Sequence, residues 1–210
     1  MHGELLIDPF ESFYHYDADQ PPEEALAALQ RGDLLTVEIE SGLVLAGDLF
    51  TASGDALRTY WRDAGTITEE EPFKPILTLL TILVESVDQI EAFAADLSND
   101  GRVVAMRLMP GPLALVVAPS DLAPASAFNR DAQGAPFVAL SASKLLPIVD
   151  LLRTFGRPLL TIPWKRPGET HPTSAGAALD VRRRPARLLR TGSPTAEQLS
   201  RYVLFAAPTP

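Results

Sequence analysis

The chain has 210 residues, 46% of them hydrophobic, with no cysteine and a net charge of −9. That composition supports one large domain, or a domain of ~100–150 residues with appendages, and the lack of thiols excludes disulfides, thiolate metal sites and cysteine nucleophiles. Residues 1–100 hold 21 Asp and Glu against Arg31, Arg58, Arg62 and Lys74, whereas residues 101–210 hold 14 basic against six acidic side chains.

An aromatic and acidic lead-in (Phe10, Phe13, Tyr14, His15, Tyr16, Asp17, Asp19) precedes Pro21-Pro22-Glu23-Glu24. Proline and carboxylates suit a helix start, and Gly32 ends that helix. Leu35, Val37 and Ile39 alternate with Thr36, Glu38 and Glu40, which predicts a strand with one buried face. Ser41-Gly42 turns the chain into a strand over 43–51, and Ser53-Gly54-Asp55 into a third over 56–62. A second cycle begins at Glu69-Glu70-Glu71-Pro72, where Ile76, Leu80, Leu83 and Val87 at helical spacing predict a helix over 73–87. The β-branched Thr78, Thr81, Ile82 and Val84 support a strand there instead. Strands over 89–97, 102–108 and 113–118 follow, separated by turns at Asn99-Asp100-Gly101 and Pro110-Gly111-Pro112. A loop covers 119–136. Then come a strand at Phe137–Leu140, a helix from Ser143 to Phe155 stopped by Gly156, and a strand over 158–164. Residues 165–192 read as a Pro/Arg-rich linker or arm, and 193–210 as a short helix and tail.

The fold class expected is therefore α+β, with repeated helix plus antiparallel β-meander units. The core spans 1–164, divisible into 1–64 and 70–164. From Phe73 to Trp164 the element order resembles the half-domain of a DNA sliding clamp. The segment from Gly134 to Arg153, where an edge strand enters a helix through a small residue, a lysine and paired apolar residues, carries most of that likeness. The resemblance implies a clamp-like centre and a role in DNA processing. Residues 32–64, with Gly42 and Gly47 in a bent hairpin, resemble the first motif of Sm-like RNA-binding barrels.

His15, Asp17 and Asp19 at alternate positions have the form of metal ligands, yet no second histidine cluster accompanies them, and neither metal nor cofactor is expected. No Gly-x-Ser-x-Gly elbow and no phosphate loop occur. The expectation is a non-enzymatic binding or assembly protein that self-associates or takes a protein partner. The alternatives are a nucleic-acid-binding accessory protein and a hydrolase built from scattered residues. Arg153, Arg157, Lys165, Arg166, Arg182, Arg183, Arg184, Arg187 and Arg190 are the candidate contacts to DNA or RNA phosphates, with Tyr60, Trp61 or Trp164 as stacking partners. The competing expectation pairs these cations with the acidic half. No stretch reaches the ~18 apolar residues that span a bilayer and no leader opens the chain, so a cytoplasmic protein without membrane contact is expected.

Overall fold

The computed structural model describes residues 13–17, 22–52, 54–61, 79–164 and 176–206. Its framework is one mixed sheet of 11 strands. In chain order these are β1 (Tyr14–Tyr16), β2 (Leu35–Ile39), β3 (Gly42–Asp48), β4 (Thr81–Val84), β5 (Leu113–Val117), β6 (Asn129–Arg130), β7 (Pro136–Ala142), β8 (Leu159–Pro163), β9 (Ala177–Asp180), β10 (Ala186–Arg190) and β11 (Phe205–Ala206). In space they run β1-β2-β3-β8-β4-β7-β5-β9-β10-β11, with β6 paired to β7. The helices are α1 (Glu23–Arg31), α2 (Gly54–Trp61), α3 (Ile90–Phe93), α4 (Asn99–Leu108), α5 (Leu146–Phe155) and α6 (Ala196–Ser200).

Period-two alternation along each strand sends side chains to two faces. Leu45, Ile82, Leu115, Leu140 and Leu160 point to one face, where Leu57 of α2, Ile90 of α3, Val104 of α4 and Leu199 of α6 cover them. On the other face Val37, Val44, Leu83 and Leu159 meet Leu29 of α1 and Ile148, Leu151 and Leu152 of α5. Burying each such side chain stabilises the fold by ~1.5–3 kcal/mol. The rest of that second face carries Ala114, Val116, Phe137, Ala139 and Ala178 beside Leu79 and Leu189, a cluster containing no helical residue among those described. Two pockets lie along this part of the face, one lined by Ala114 and the other by Leu79, Phe137, Ala178 and Leu189, and together they are its trough.

This architecture replaces the expected repeats of helix and meander, because strands distant in sequence pair: β3 with β8, β4 with both β7 and β8, β5 with β9. The helix expected over 73–87 is corrected to a strand at Thr81–Val84, while 73–78 lie outside the described residues. Where strands are expected over 56–62, 89–97 and 102–108, the helices α2, α3 (Ile90–Phe93) and α4 stand instead, residue 62 lying outside the described residues. Asn99-Asp100-Gly101 is no turn. Ser98 caps α4 by accepting the Gly101 N–H at 3.1 Å, and Gly101 is small because a Cβ there would lie 2.7 Å from Leu97 Cδ1 and 3.1 Å from Val181 Cγ2. Its role is close packing. Gly54 behaves likewise, since a Cβ would fall 1.9 Å from the Ser126 carbonyl oxygen.

Other expectations match what is observed. The strands at 35–39, 113–117, 136–142 and 159–163 are present, α1 ends at Gly32 (φ 85°) and α5 ends at Gly156 (φ 73°). A Thr195–Gln198 capping box opens α6. Residues 177–190, expected in the linker or arm, are β9 and β10 of the main sheet.

Candidate active site

Strand registers define the floor of the trough as two cross-strand rows. Arg190 pairs with Ala178, Ala178 with Ala114, and continuing the register of β5 against β7 sets Ala114 opposite Ser141, which pairs with Leu83. The second row runs Arg187, Asp180, Val116, Ala139, Thr81, Thr161. Regular alternation from Leu188, which faces the helical core, would send Arg190 to that core as well. A register shift between Leu188 and Arg190 adds one residue and turns Arg190 into the trough. Redirecting one side chain in this way is a common use of a β-bulge. Ala114, two strands away, lines the same crevice as Arg190.

Arg190 therefore shares a crevice with Ser141, Thr81, Thr161 and Glu40, with a free volume of about 30 Å³. Its Nε donates to the Gly176 carbonyl at 2.8 Å. The side chain is half-buried by surface area, yet its charge is enclosed well enough that burial lowers its pKa to about 10. It stays cationic at neutral pH although burial disfavours the charge. Ser141 is 8% exposed and its Oγ has no hydrogen-bond partner. A buried unpaired hydroxyl costs ~1–3 kcal/mol, which a water or a polar group of a ligand in the crevice offsets. Thr161 Oγ1 donates to the Thr81 carbonyl at 3.0 Å, which aligns the next strand pair.

The other end of the trough opens into a cavity of about 300 Å³, lined by Leu79, Phe137 and Leu189 below and by Arg130, Arg182, Arg183 and Arg187 around the rim. Arg182 donates from Nε and Nη2 to the two Asp180 oxygens at 3.0 and 2.8 Å, reaches Asp131 at 3.3 Å, and lies 4.7 Å over the Phe137 ring. Hydrogen bonding to Asp180 raises its pKa against the opposing effect of burial. Asn129 holds the wall that carries Arg130 and Asp131: Oδ1 accepts the Leu80 N–H at 3.0 Å and Nδ2 donates to the Leu80 carbonyl at 2.8 Å. Four arginines against Asp131 and Asp180 leave the cavity positive. Its apolar floor and cationic rim suit a ligand with a ring and an anionic group.

The nine basic residues expected at nucleic acid are dispersed. Arg153 pairs with Glu85 and Asp150, Arg157 with Asp48, and Arg184 with Asp100 at 3.7 Å, all away from the trough lining. Arg182, Arg183 and Arg187 line the cavity, Arg190 lies in the crevice, and Lys165 and Arg166 fall outside the described residues. Trp164 is buried in the core with Phe13 against it at 5.7 Å, and Phe13 also meets Tyr60 edge-on at 5.2 Å. His15 donates or accepts at Thr36 Oγ1, 2.9 Å away, and no group of three metal-ligating side chains occurs among the described residues. No helix among them is long and apolar enough to cross a membrane. Sequence patterning missed Glu40, Ser141 and the bulge. Ser141 did carry a signal, a lone hydroxyl on the inward phase of an apolar strand.

No family model and no curated protein matches the sequence. Among solved structures, Sua5 of P. abyssi superposes with a TM-score of 0.69 at 17% identity, covering 92% of this chain and 61% of that one. The chain has the fold of Sua5 and YciO. Sua5 complexed with L-threonine matches at a TM-score of 0.65 and 19% identity over the same shares. YciO of E. coli matches at 0.61 and 11% identity, covering 86% of this chain and 95% of that one. Full-length HypF in its phosphate- and nucleotide-bound form matches at 0.51 and 10% identity, over 80% of this chain and 28% of HypF. The chain thus spans 61% of the length of Sua5. This shared fold overturns the sliding-clamp and Sm-like resemblances, and with them the expectations of a DNA-binding clamp and of a non-enzymatic assembly protein.

Proposed function

We propose that the chain is a small-molecule enzyme that uses the trough to hold two substrates, a small amino acid in the crevice and a nucleotide in the adjoining cavity. The observation that carries this reading is the β10 bulge, which places the poorly solvated Arg190 guanidinium in one crevice with the unpaired Ser141 hydroxyl. A carboxylate can accept from both groups at once, since a guanidinium and a hydroxyl each donate to carboxylate oxygens. Glu40 lines the same crevice and offers an anion to an α-ammonium group. The cavity beside it provides Arg183 and Arg187 for phosphates and Phe137 for a base. The Sua5 complexed with L-threonine and the phosphate- and nucleotide-bound HypF are relatives in fold whose ligands have these two chemistries. On this reading the arginines expected at nucleic-acid phosphates serve a small phosphorylated ligand.

Calorimetric titration with L-threonine and with ATP, separately and together, tests the reading. Arg190→Gln should abolish amino-acid binding, and Arg183→Gln with Arg187→Gln should weaken ATP binding by about tenfold or more, as loss of charge-assisted bonds predicts. Absence of heat with either compound at millimolar concentration, for wild-type protein, overturns the proposal.

A further inference from the structure

A crevice of about 30 Å³ holds little more than one water molecule, far less than an amino acid needs. One wall of it is the two-residue turn Glu40-Ser41, joining β2 to β3. Behind that wall lies a larger cavity of about 470 Å³, lined by His15, Tyr16, Asp17, Glu38, Leu145 and Ile148. Ile39 and Glu40 line both spaces.

Side-chain bonds from Glu40 fasten the turn to the junction of β7 and α5. One carboxylate oxygen accepts the Ser143 hydroxyl at 2.9 Å and the other accepts the Lys144 N–H at 2.5 Å. The same Ser143 Oγ accepts the Leu145 N–H at 3.1 Å, so the fastening point belongs to the entry of α5. Ser41 rests against Gly176, where an added Cβ would stand 2.9 Å from Ser41 Cβ and 2.7 Å from the Pro112 carbonyl oxygen. Gly42, at φ 118°, supplies a backbone joint with freedom that other residues lack. The turn has therefore a hinge, a latch and a space to move into.

We propose that the Glu40-Ser41 turn is a gate over the Arg190–Ser141 crevice, latched shut by Glu40 on Ser143 and Lys144, and that substrate enters when the latch opens. Release frees the Glu40 carboxylate within the crevice, where it meets the ammonium group of the incoming amino acid. Glu40 is thus a positioning residue in the closed state and a specificity-determining residue in the open one. This rests on the crevice being the amino-acid site, but the gating motion is measurable without any ligand.

Since the chain has no cysteine, Ser141→Cys places a single, nearly isosteric thiol in the crevice. Its rate of reaction with 5,5′-dithiobis(2-nitrobenzoate) under native conditions reports opening. Adding Ser143→Ala or Glu40→Ala should raise that rate by about tenfold or more, because each removes a charge-assisted hydrogen bond from the latch. Equal rates in all three proteins, with thermal melts unchanged, overturn the gate. Should Ser141→Cys fail to fold, hydrogen exchange at the Leu43 and Val44 amides of otherwise wild-type Ser143→Ala serves instead, and unchanged exchange overturns the gate. Calorimetry on chains retaining Ser141 separates the two readings. Ser143→Ala, which keeps the Glu40 carboxylate, should bind L-threonine at least as tightly as wild type, whereas Glu40→Ala should bind it at least tenfold more weakly. Faster labelling without threonine binding by any variant leaves the gate standing and removes the amino-acid reading. Threonine binding with unchanged labelling does the reverse.

Discussion

At the residue scale, Arg190 combines a stability cost with a binding role. Burial lowers its pKa to about 10 in the fold, well below the ordinary arginine value, so the folded state disfavours the cation relative to the unfolded chain. The sign follows directly: below pH 10 the charge opposes folding by a constant amount, at most ~3 kcal/mol, and the opposition fades only as pH rises through 10. Replacing a desolvated ion with an apolar side chain of similar length often leaves stability unchanged or higher. Arg190→Met should accordingly melt no lower than wild type, despite losing the bond to Gly176, while failing to bind a carboxylate ligand. Differential scanning calorimetry beside a binding assay checks both halves. A large drop in Tm would show that Arg190 is structural and would remove its part in the site.

At the element scale, several strands were readable, whereas β4, β9, β10 and the helices α2, α3 and α4 were not, for identifiable physical reasons. Alternation in Leu35–Ile39 and the apolar runs at Leu113–Val117 and Leu159–Pro163 are local signals of half-buried or fully buried strands. Helices α2 and α4 were obscured by glycines in their first turns, because Ser53-Gly54-Asp55 and Asn99-Asp100-Gly101 also have turn chemistry. What decides the matter lies elsewhere in the chain: Ser126 crowds Gly54, and Val181 crowds Gly101. Gly101 adopts no positive φ, so the two interpretations differ in outcome. Gly101→Ala in a turn needing a left-handed residue would strain the backbone, whereas in α4 it gains helix propensity and suffers overpacking against Leu97 and Val181. Overpacking of this kind costs ~1–3 kcal/mol. Urea unfolding should therefore show a lower midpoint with an unchanged slope, and Val181→Ala should restore much of the loss. The site was harder to read than the elements, since Arg190, Ser141 and Glu40 are brought together by pairings across β10-β9-β5-β7 and by one inserted residue. Neither has a local signature.

At the scale of the whole molecule, the division of charge between the two halves is resolved within the sheet and its flanks. Asp48–Arg157, Glu85–Arg153, Glu91–Arg102 and Asp100–Arg184 each join an acid from residues 1–100 to a base from residues 101–210. They are not equivalent. The Glu91–Arg102 and Asp100–Arg184 partners are all substantially exposed, and Glu85–Arg153 is only partly covered. Such pairs contribute ~0–1 kcal/mol each and are screened by salt. Asp48, in contrast, has 2% of its side-chain surface exposed, accepts Arg157 Nη1 at 2.6 Å and also holds the Phe50 N–H at 3.1 Å. Removing Arg157 strands that buried carboxylate, although the half-exposed arginine limits the loss below that of a fully buried pair. Arg157→Gln should cost ~1–3 kcal/mol and persist in 1 M salt, while Arg153→Gln should cost under ~0.5 kcal/mol and vanish there. Thermal unfolding of both variants at low and high salt decides it. Equal losses for the two, or full screening of the Arg157 effect, would mean that Asp48 is held by its backbone contact alone and that the sheet is not fastened between β3 and the start of β8 by this charge pair.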